Sequence, residues 1–154
     1  MSDEKIEVSK EILAAPEAVW RVITDLDAAA KVMRKIVSVE RVEGEGYAEG
    51  VRWRETRRMF GKDETEEMWV AAVDEPRSTT VRSRAGGALY TTVFTLEPSD
   101  LGVTLDVSFS AATEDPGLGQ RLMLAVFGKT AMKATKKALA EDLDDIAKVA
   151  EGRG

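Results

Sequence analysis

The spacing of hydrophobic positions changes twice along the chain, and each change marks a change of element. Between Lys5 and Leu13 apolar and polar residues alternate, with Ile6, Val8 and Ile12 on one side, which predicts a first strand. From Pro16 the spacing lengthens, and Val19, Trp20 and Ile23 come to share a helical face. Pro16 suits the first helical turn, where its missing N–H would have no intrahelical partner. Asp25-Leu26-Asp27 closes that helix, and Ala28-Ala29-Ala30-Lys31-Val32-Met33 predicts a second short one. From Ile36 to Thr113 the period is two, predicting strands over 36–43, 50–60, 63–73, 78–85, 88–97 and 102–112. Turn chemistry separates them: Gly44 and Gly46, Gly61-Lys62, Glu75-Pro76, Gly86-Gly87 and Pro98-Ser99-Asp100. After Asp115-Pro116-Gly117 a helical pattern runs from about Leu118 to Ala150, with Leu124, Gly128, Met132, Thr135, Leu139, Leu143 and Ile146 as its stripe.

Six successive strands with short links imply an antiparallel meander. Adding the first strand gives a seven-stranded sheet, interrupted by two short helices and followed by one long helix. The economical arrangement is an α+β architecture, in which the curved sheet closes its concave face over the long helix. Neither an internal repeat nor a linker is visible, so residues 1–154 read as one domain.

Parity along the strands predicts which side chains face that helix. A two-residue turn at Gly61-Lys62 sets Met59 against Glu64, Arg57 against Glu66, Glu55 against Met68 and Trp53 against Val70. The alternate set, which pairs Arg58 with Thr65, Thr56 with Glu67 and Arg54 with Trp69, is more hydrophilic and faces water. Arg54 over Trp69 then forms an exposed cation–π contact. A hairpin at Gly86-Gly87 pairs Ser83 with Tyr90, Val81 with Thr92 and Thr79 with Phe94, leaving Arg82 and Arg84 outside. The next turn pairs Phe94 with Leu105, Thr92 with Val107 and Tyr90 with Phe109. Three hairpins agree on one inward face.

That face is mainly apolar: Trp53, Met59, Met68, Val70, Val81, Phe94, Leu105, Val107 and Phe109. Its polar minority is Glu55, Arg57, Glu66, Ser83, Tyr90 and Thr92, and an apolar lining with a few polar groups is the usual make-up of a small-molecule site. The long helix adds Leu124, Gly128 and Met132 as candidate ligand-facing positions. A register across Glu75-Pro76 would put Glu55, Met68, Ser83, Tyr90 and Phe109 in one row, with Arg57 and Glu66 in the next. A lone buried carboxylate costs several kcal/mol, so Glu55 needs a partner, and Arg57 is two residues away on its face. Two readings follow: Arg57 bridges Glu55 and Glu66 and only fills the cavity mouth, or the pair orients one end of a ligand. Gly128 inside the helical stripe either kinks the helix or makes room for a ligand or for Phe94. Trp20 reads as core, and the outer arginines as a solvated face.

Composition narrows the chemistry. The 154 residues include neither Cys nor His, so disulfides, thiolate nucleophiles and imidazole catalysis are excluded, and no metal or other cofactor is expected. A formal charge of -6 argues against nucleic-acid partners, and no apolar run reaches the roughly 20 residues of a membrane span, so no integral membrane contact is expected. The polar, acidic start Met1-Ser2-Asp3-Glu4-Lys5 does not look like a signal peptide, which makes the cytoplasm the expected location.

Several segments, in the right order, carry a family likeness: Ala15-Pro16-Glu17-Ala18-Val19-Trp20-Arg21-Val22-Ile23-Thr24-Asp25-Leu26-Asp27, Gly50-Val51-Arg52-Trp53-Arg54-Glu55, Leu96-Glu97-Pro98 with Gly102-Val103-Thr104, and Glu141-Asp142-Leu143-Asp144-Asp145-Ile146. Together they make the chain resemble the START-like, polyketide cyclase/dehydrase and lipid-transport superfamily (SRPBCC). It departs from that pattern at Met33-Arg34-Lys35, where members often carry an aromatic residue and a proline. The resemblance implies a helix-grip fold and an internal cavity for a small hydrophobic ligand, such as a polyketide, lipid or isoprenoid-like molecule. Three functional expectations follow. The first is a non-catalytic carrier or binding protein. The second is a cofactor-independent cyclase or dehydratase, with Glu55 as base, Tyr90 as acid and Arg57 stabilising an enolate. The third is a protein-interaction module.

Overall fold

A computed structural model describes residues 5–59, 61–85, 87–114, 117, 119, 121, 125 and 127–153. In chain order the elements are β1 (Lys5–Ile12), α1 (Pro16–Thr24), a 3-10 turn (Leu26–Ala28), α2 (Ala29–Val32), β2 (Ile36–Glu43), β3 (Arg52–Met59), β4 (Lys62–Asp74), β5 (Ser78–Ala85), β6 (Ala88–Ser99), β7 (Gly102–Thr113) and α3 (Lys129–Ala150). The seven strands form one antiparallel sheet in the order β1-β7-β6-β5-β4-β3-β2, so the first strand returns to close the far edge beside β7. This is the expected helix-grip arrangement. None of the described helices is long and apolar enough to cross a membrane.

Two of the three hairpins pair two residues away from the expected register. Met59 faces Lys62, so Glu55 opposes Glu66, Arg57 opposes Glu64 and Trp53 opposes Met68. Likewise Ser99 faces Gly102, which pairs Phe94 with Val107, Thr92 with Phe109 and Tyr90 with Ala111. The β5–β6 hairpin pairs as expected, Ser83 with Tyr90 and Val81 with Thr92. A shift of two preserves every inward and outward assignment, because strand side chains repeat with period two. It does move partners by about 7 Å along the strand. The expected row through Glu55 and Phe109 is therefore replaced by Trp53, Met68, Ser83, Tyr90 and Ala111. On the outer face Trp69 is covered by Arg52, at 4.9 Å from the ring centroid, and Arg84, at 5.5 Å; Arg54 instead pairs with Glu40.

The long helix also departs from expectation. Gly128 has extended backbone angles and stands at the N-terminus of α3, after helical positions at Gly119, Arg121, Ala125 and Phe127. The glycine thus marks a break, the kink reading of its position. Leu118 and Leu124 lie outside the described residues.

Packing divides the concave side in two. Val103, Leu105 and Val107 of β7 and Leu96 of β6 meet Leu143, Ile146 and Ala147 of α3, with Ile12, Val19 and Trp20 completing that core. A second cluster, Leu26, Val51, Trp53, Val70 and Val81, lies under the other half of the sheet. Gly102 sits against the chain leaving β1. A Cβ there would overlap the Ile12 carbonyl oxygen and the Ala14 backbone, so no larger residue fits the turn.

Charge pins the last turns of α3. The Arg34 backbone N–H donates to Asp145 at 2.9 Å, and its guanidinium donates to the same carboxylate at 2.7 and 3.1 Å. Lys10 reaches Asp144 at 3.1 Å and Lys35 reaches Glu141 at 3.7 Å. The departure at Met33-Arg34-Lys35 thereby acquires a structural role, since two of its residues hold the helix by ion pairs. Burial pushes the Asp145 carboxyl up, but the Arg34 hydrogen bonds outweigh it and hold the group below its ordinary range.

Candidate functional site

Between the two clusters the sheet and α3 stand apart and enclose a cavity of about 360 Å³. Its walls come from every layer: Ile23, Leu26, Ala29 and Met33 from the short helices, Trp53, Met59, Met68, Val81, Phe94 and Phe109 from the sheet, and Thr135, Ala138, Leu139 and Ile146 from α3. Along α3 the wall includes the small residues Ala138 and Thr135, whereas Leu143, one turn further on, is buried in the first core.

One end of the cavity is ionic. Arg57 donates through Nε to Glu55 Oε2 at 2.9 Å, and through Nη2 and Nη1 to Asp142 Oδ2 and Oδ1 at 2.9 and 3.3 Å. The Trp53 indole N–H donates to the second Glu55 oxygen at 3.1 Å. The Arg57 side chain is 28% exposed, Glu55 12% and Asp142 7%, so this is a largely desolvated triad. Burial opposes the Arg57 charge, yet attraction to Asp142 and Glu55 outweighs it and raises the guanidinium above its ordinary value. Burial pushes Asp142 up; Arg57 counteracts, while Glu55 and Asp145 add to the rise.

Glu66 stands beside the triad without joining it. Burial, then repulsion from Glu55, raises its carboxyl, and Arg57 and a hydrogen bond from Ser83 only offset this. Burial and the field of Glu66 raise the neighbouring Tyr90 phenol, whose ring stacks on Phe109 at 5.7 Å. Across the cavity the Tyr47 hydroxyl lies 2.7 Å from Thr79 Oγ1. Among the described residues no group of carboxylates is arranged to hold a metal ion.

The structure brings eleven expected positions to the cavity wall: Trp53, Glu55, Arg57, Met59, Glu66, Met68, Val81, Ser83, Thr92, Phe94 and Phe109. Tyr90 is not on the wall; its ring stacks on Phe109, and its strand partners are Ser83 and Ala111. Leu105 and Val107 are fully buried in the first core, carried there by the two-residue shift of β7. Gly128 and Met132 lie outside the lining, the first at the helix break and the second in the opening turn of α3. Leu124 is not among the described residues.

Sequence reasoning missed Asp142, the second anchor of Arg57. A signal for it existed, since Asp142 follows Leu139 by three positions and precedes Ile146 by four, on the apolar stripe of α3. A carboxylate at that spacing must be buried, and a buried carboxylate needs a cation. Tyr47 had no such signal, for its place depends on how the loop before β3 folds back.

The family model described as polyketide cyclase / dehydrase and lipid transport matches residues 3–151. A search of curated proteins finds no match. Among solved structures, one from Thermus thermophilus superposes with a TM-score of 0.77 at 18% identity, covering 98% of this chain and 99% of the other. The Zhui aromatase/cyclase of a Streptomyces species, R1128, gives 0.77 and 18%, covering 99% and 96%. A norcoclaurine synthase point mutant of Thalictrum flavum, bound to a transition-state analogue, gives 0.75 and 15%, covering 99% and 96%. At these identities the likeness is one of fold.

Proposed function

The chain belongs to the polyketide cyclase / dehydrase and lipid transport family, and from that premise we propose that it binds a small, mostly apolar molecule between the sheet and α3, as a carrier or binding protein. The observation that carries this reading is the cavity of about 360 Å³, apolar along its walls and ionic at one end. Its size falls within the range of small-molecule sites, and such sites combine an apolar wall with a few fixed polar groups. Burying an apolar ligand contributes roughly 25 cal/mol for each Å² removed from water. The Arg57 triad and Glu66 then orient the polar end.

Native mass spectrometry after gentle purification, followed by organic extraction, tests the reading directly. A retained small molecule, or calorimetric binding of n-decanol that Met68→Trp abolishes while the circular dichroism spectrum is kept, is the expected result. Absence of a retained molecule, together with absence of decanol binding, overturns it.

One observation favours a cyclase or dehydratase as the second reading. Glu66 is a cavity carboxyl raised above its ordinary range, the property general acid–base catalysis requires. It is better placed for that role than Glu55, both of whose oxygens already accept hydrogen bonds. In this reading Glu66→Gln keeps the affinity for a polyketide-like substrate and removes its turnover; turnover that survives the substitution rules it out.

A further inference from the structure

The ionic end of the cavity has an imbalance of donors and acceptors. Among the described residues four carboxyl groups line it, Glu55, Glu64, Glu66 and Asp142, and Arg57 is the one cation in that lining. Arg57 is committed: Nε, Nη1 and Nη2 each already donate to a carboxylate, one to Glu55 and two to Asp142. A guanidinium has five N–H groups in a rigid fork, and three of them, including the whole Nε–H, are used here, which fixes the fork's orientation and leaves one N–H each on Nη1 and Nη2. The Trp53 indole N–H is likewise spent on Glu55. Glu66 accepts from Ser83 and has Arg57 only as a more distant charge, and no Lys or Arg among the described residues forms an ion pair with it. Against four carboxyl groups stand two remaining guanidinium N–H groups, so what this end offers a visitor is chiefly carboxylate oxygen.

Resting on the cavity-binding reading above, we infer that the ligand is an apolar molecule bearing a protonated amine, whose ammonium is received by Glu66 beside the Arg57 triad. An ammonium supplies donors and no acceptor, which complements a carboxylate-lined pocket end. It also brings the positive charge that would offset the surplus of carboxylates. A fatty acid or other apolar anion would meet the opposite situation, with its carboxylate desolvated beside Glu66 and facing a guanidinium already engaged. Burial and the like charge of Glu55 raise Glu66, a carboxyl without an ion-pair partner of its own among the described residues.

Three probes with one chain and different heads separate the possibilities: n-decylamine, n-decanol and decanoate, titrated calorimetrically into the full chain at pH 7. Decylamine should bind at least about tenfold more tightly than decanoate, the order of a charge-assisted hydrogen bond, with decanol between them. Glu66→Gln should remove most of that preference, and continued decanol binding by the variant demonstrates that the cavity is intact. Decanol and decanoate binding as tightly as the amine would overturn the inference and leave the cavity-binding reading standing. An amine preference that survives Glu66→Gln undiminished would overturn the role given to Glu66. Failure of all three probes to bind would overturn both the inference and the reading beneath it.

Discussion

Arg57→Leu is the most informative single change, because it leaves two buried carboxylates facing each other. Glu55 and Asp142, 12% and 7% exposed, lose their shared guanidinium. Removing one partner of a buried ion pair costs about 3–5 kcal/mol. The Arg57 side chain is itself 28% exposed, so some water already reaches the triad and the lower end, about 3 kcal/mol, applies. For a domain of this size that corresponds to a fall in Tm of roughly 6–12 °C. The loss should also depend on pH. Burial already raises Asp142 and Arg57 opposes the rise, so the substitution lifts this carboxyl further. A carboxyl raised above its unfolded value carries no penalty below the ordinary carboxylate range, near pH 4, and the penalty grows as pH rises through the folded value. Urea unfolding at pH 7 and at about pH 4.5 should therefore give a larger deficit at the higher pH. Combining Glu55→Gln, Arg57→Leu and Asp142→Leu should recover most of the loss, since the Gln keeps an acceptor for the Trp53 indole and no charge of the triad is left over. Changing Glu55 and Arg57 alone should not, because Asp142 would remain without its cation. A deficit under about 1 kcal/mol at pH 7, one equal at both pH values, or a triple variant no better than the single would refute the reasoning.

Two further outcomes test the frame around the cavity. Arg34→Ala should lower Tm by less than Arg57→Leu, because its guanidinium is solvated. In the parent the Asp145 carboxyl is held low by Arg34, so its contribution is present above the ordinary carboxylate range and lost as pH falls through the lowered value. Thermal melts of both proteins should converge in acid, and a constant gap between them would contradict the assignment. Gly102→Ala should destabilise by more than about 2 kcal/mol, since the added Cβ meets the backbone of Ile12 and Ala14 rather than a movable side chain. Parent-like chemical denaturation of that variant would show that β7 can shift away from β1 at little cost.

Local pattern alone was enough for the strands, the short helices and the face each strand turns inward, though not for the break at Gly128. Alternation of apolar and polar residues over β3 to β7 identified Trp53, Glu55, Arg57, Met68, Phe94 and Phe109 as cavity-facing, and all six line the cavity. That assignment survived two wrong turns because side-chain direction repeats every two residues, and both turns were displaced by two. Position along the strand has no such protection. Whether Leu105 and Val107 border the cavity or fill the core, and whether Tyr90 reaches the wall, depended on register, which turn residues such as Gly61-Lys62 and Ser99-Asp100 specify only loosely. The partner of Arg57 lay further out of reach, 85 positions away on α3. A sequence states that a buried carboxylate on the helix stripe needs a cation. Which cation arrives is decided by how the sheet curves over the helix, a sum of many weak packing choices that no single segment encodes.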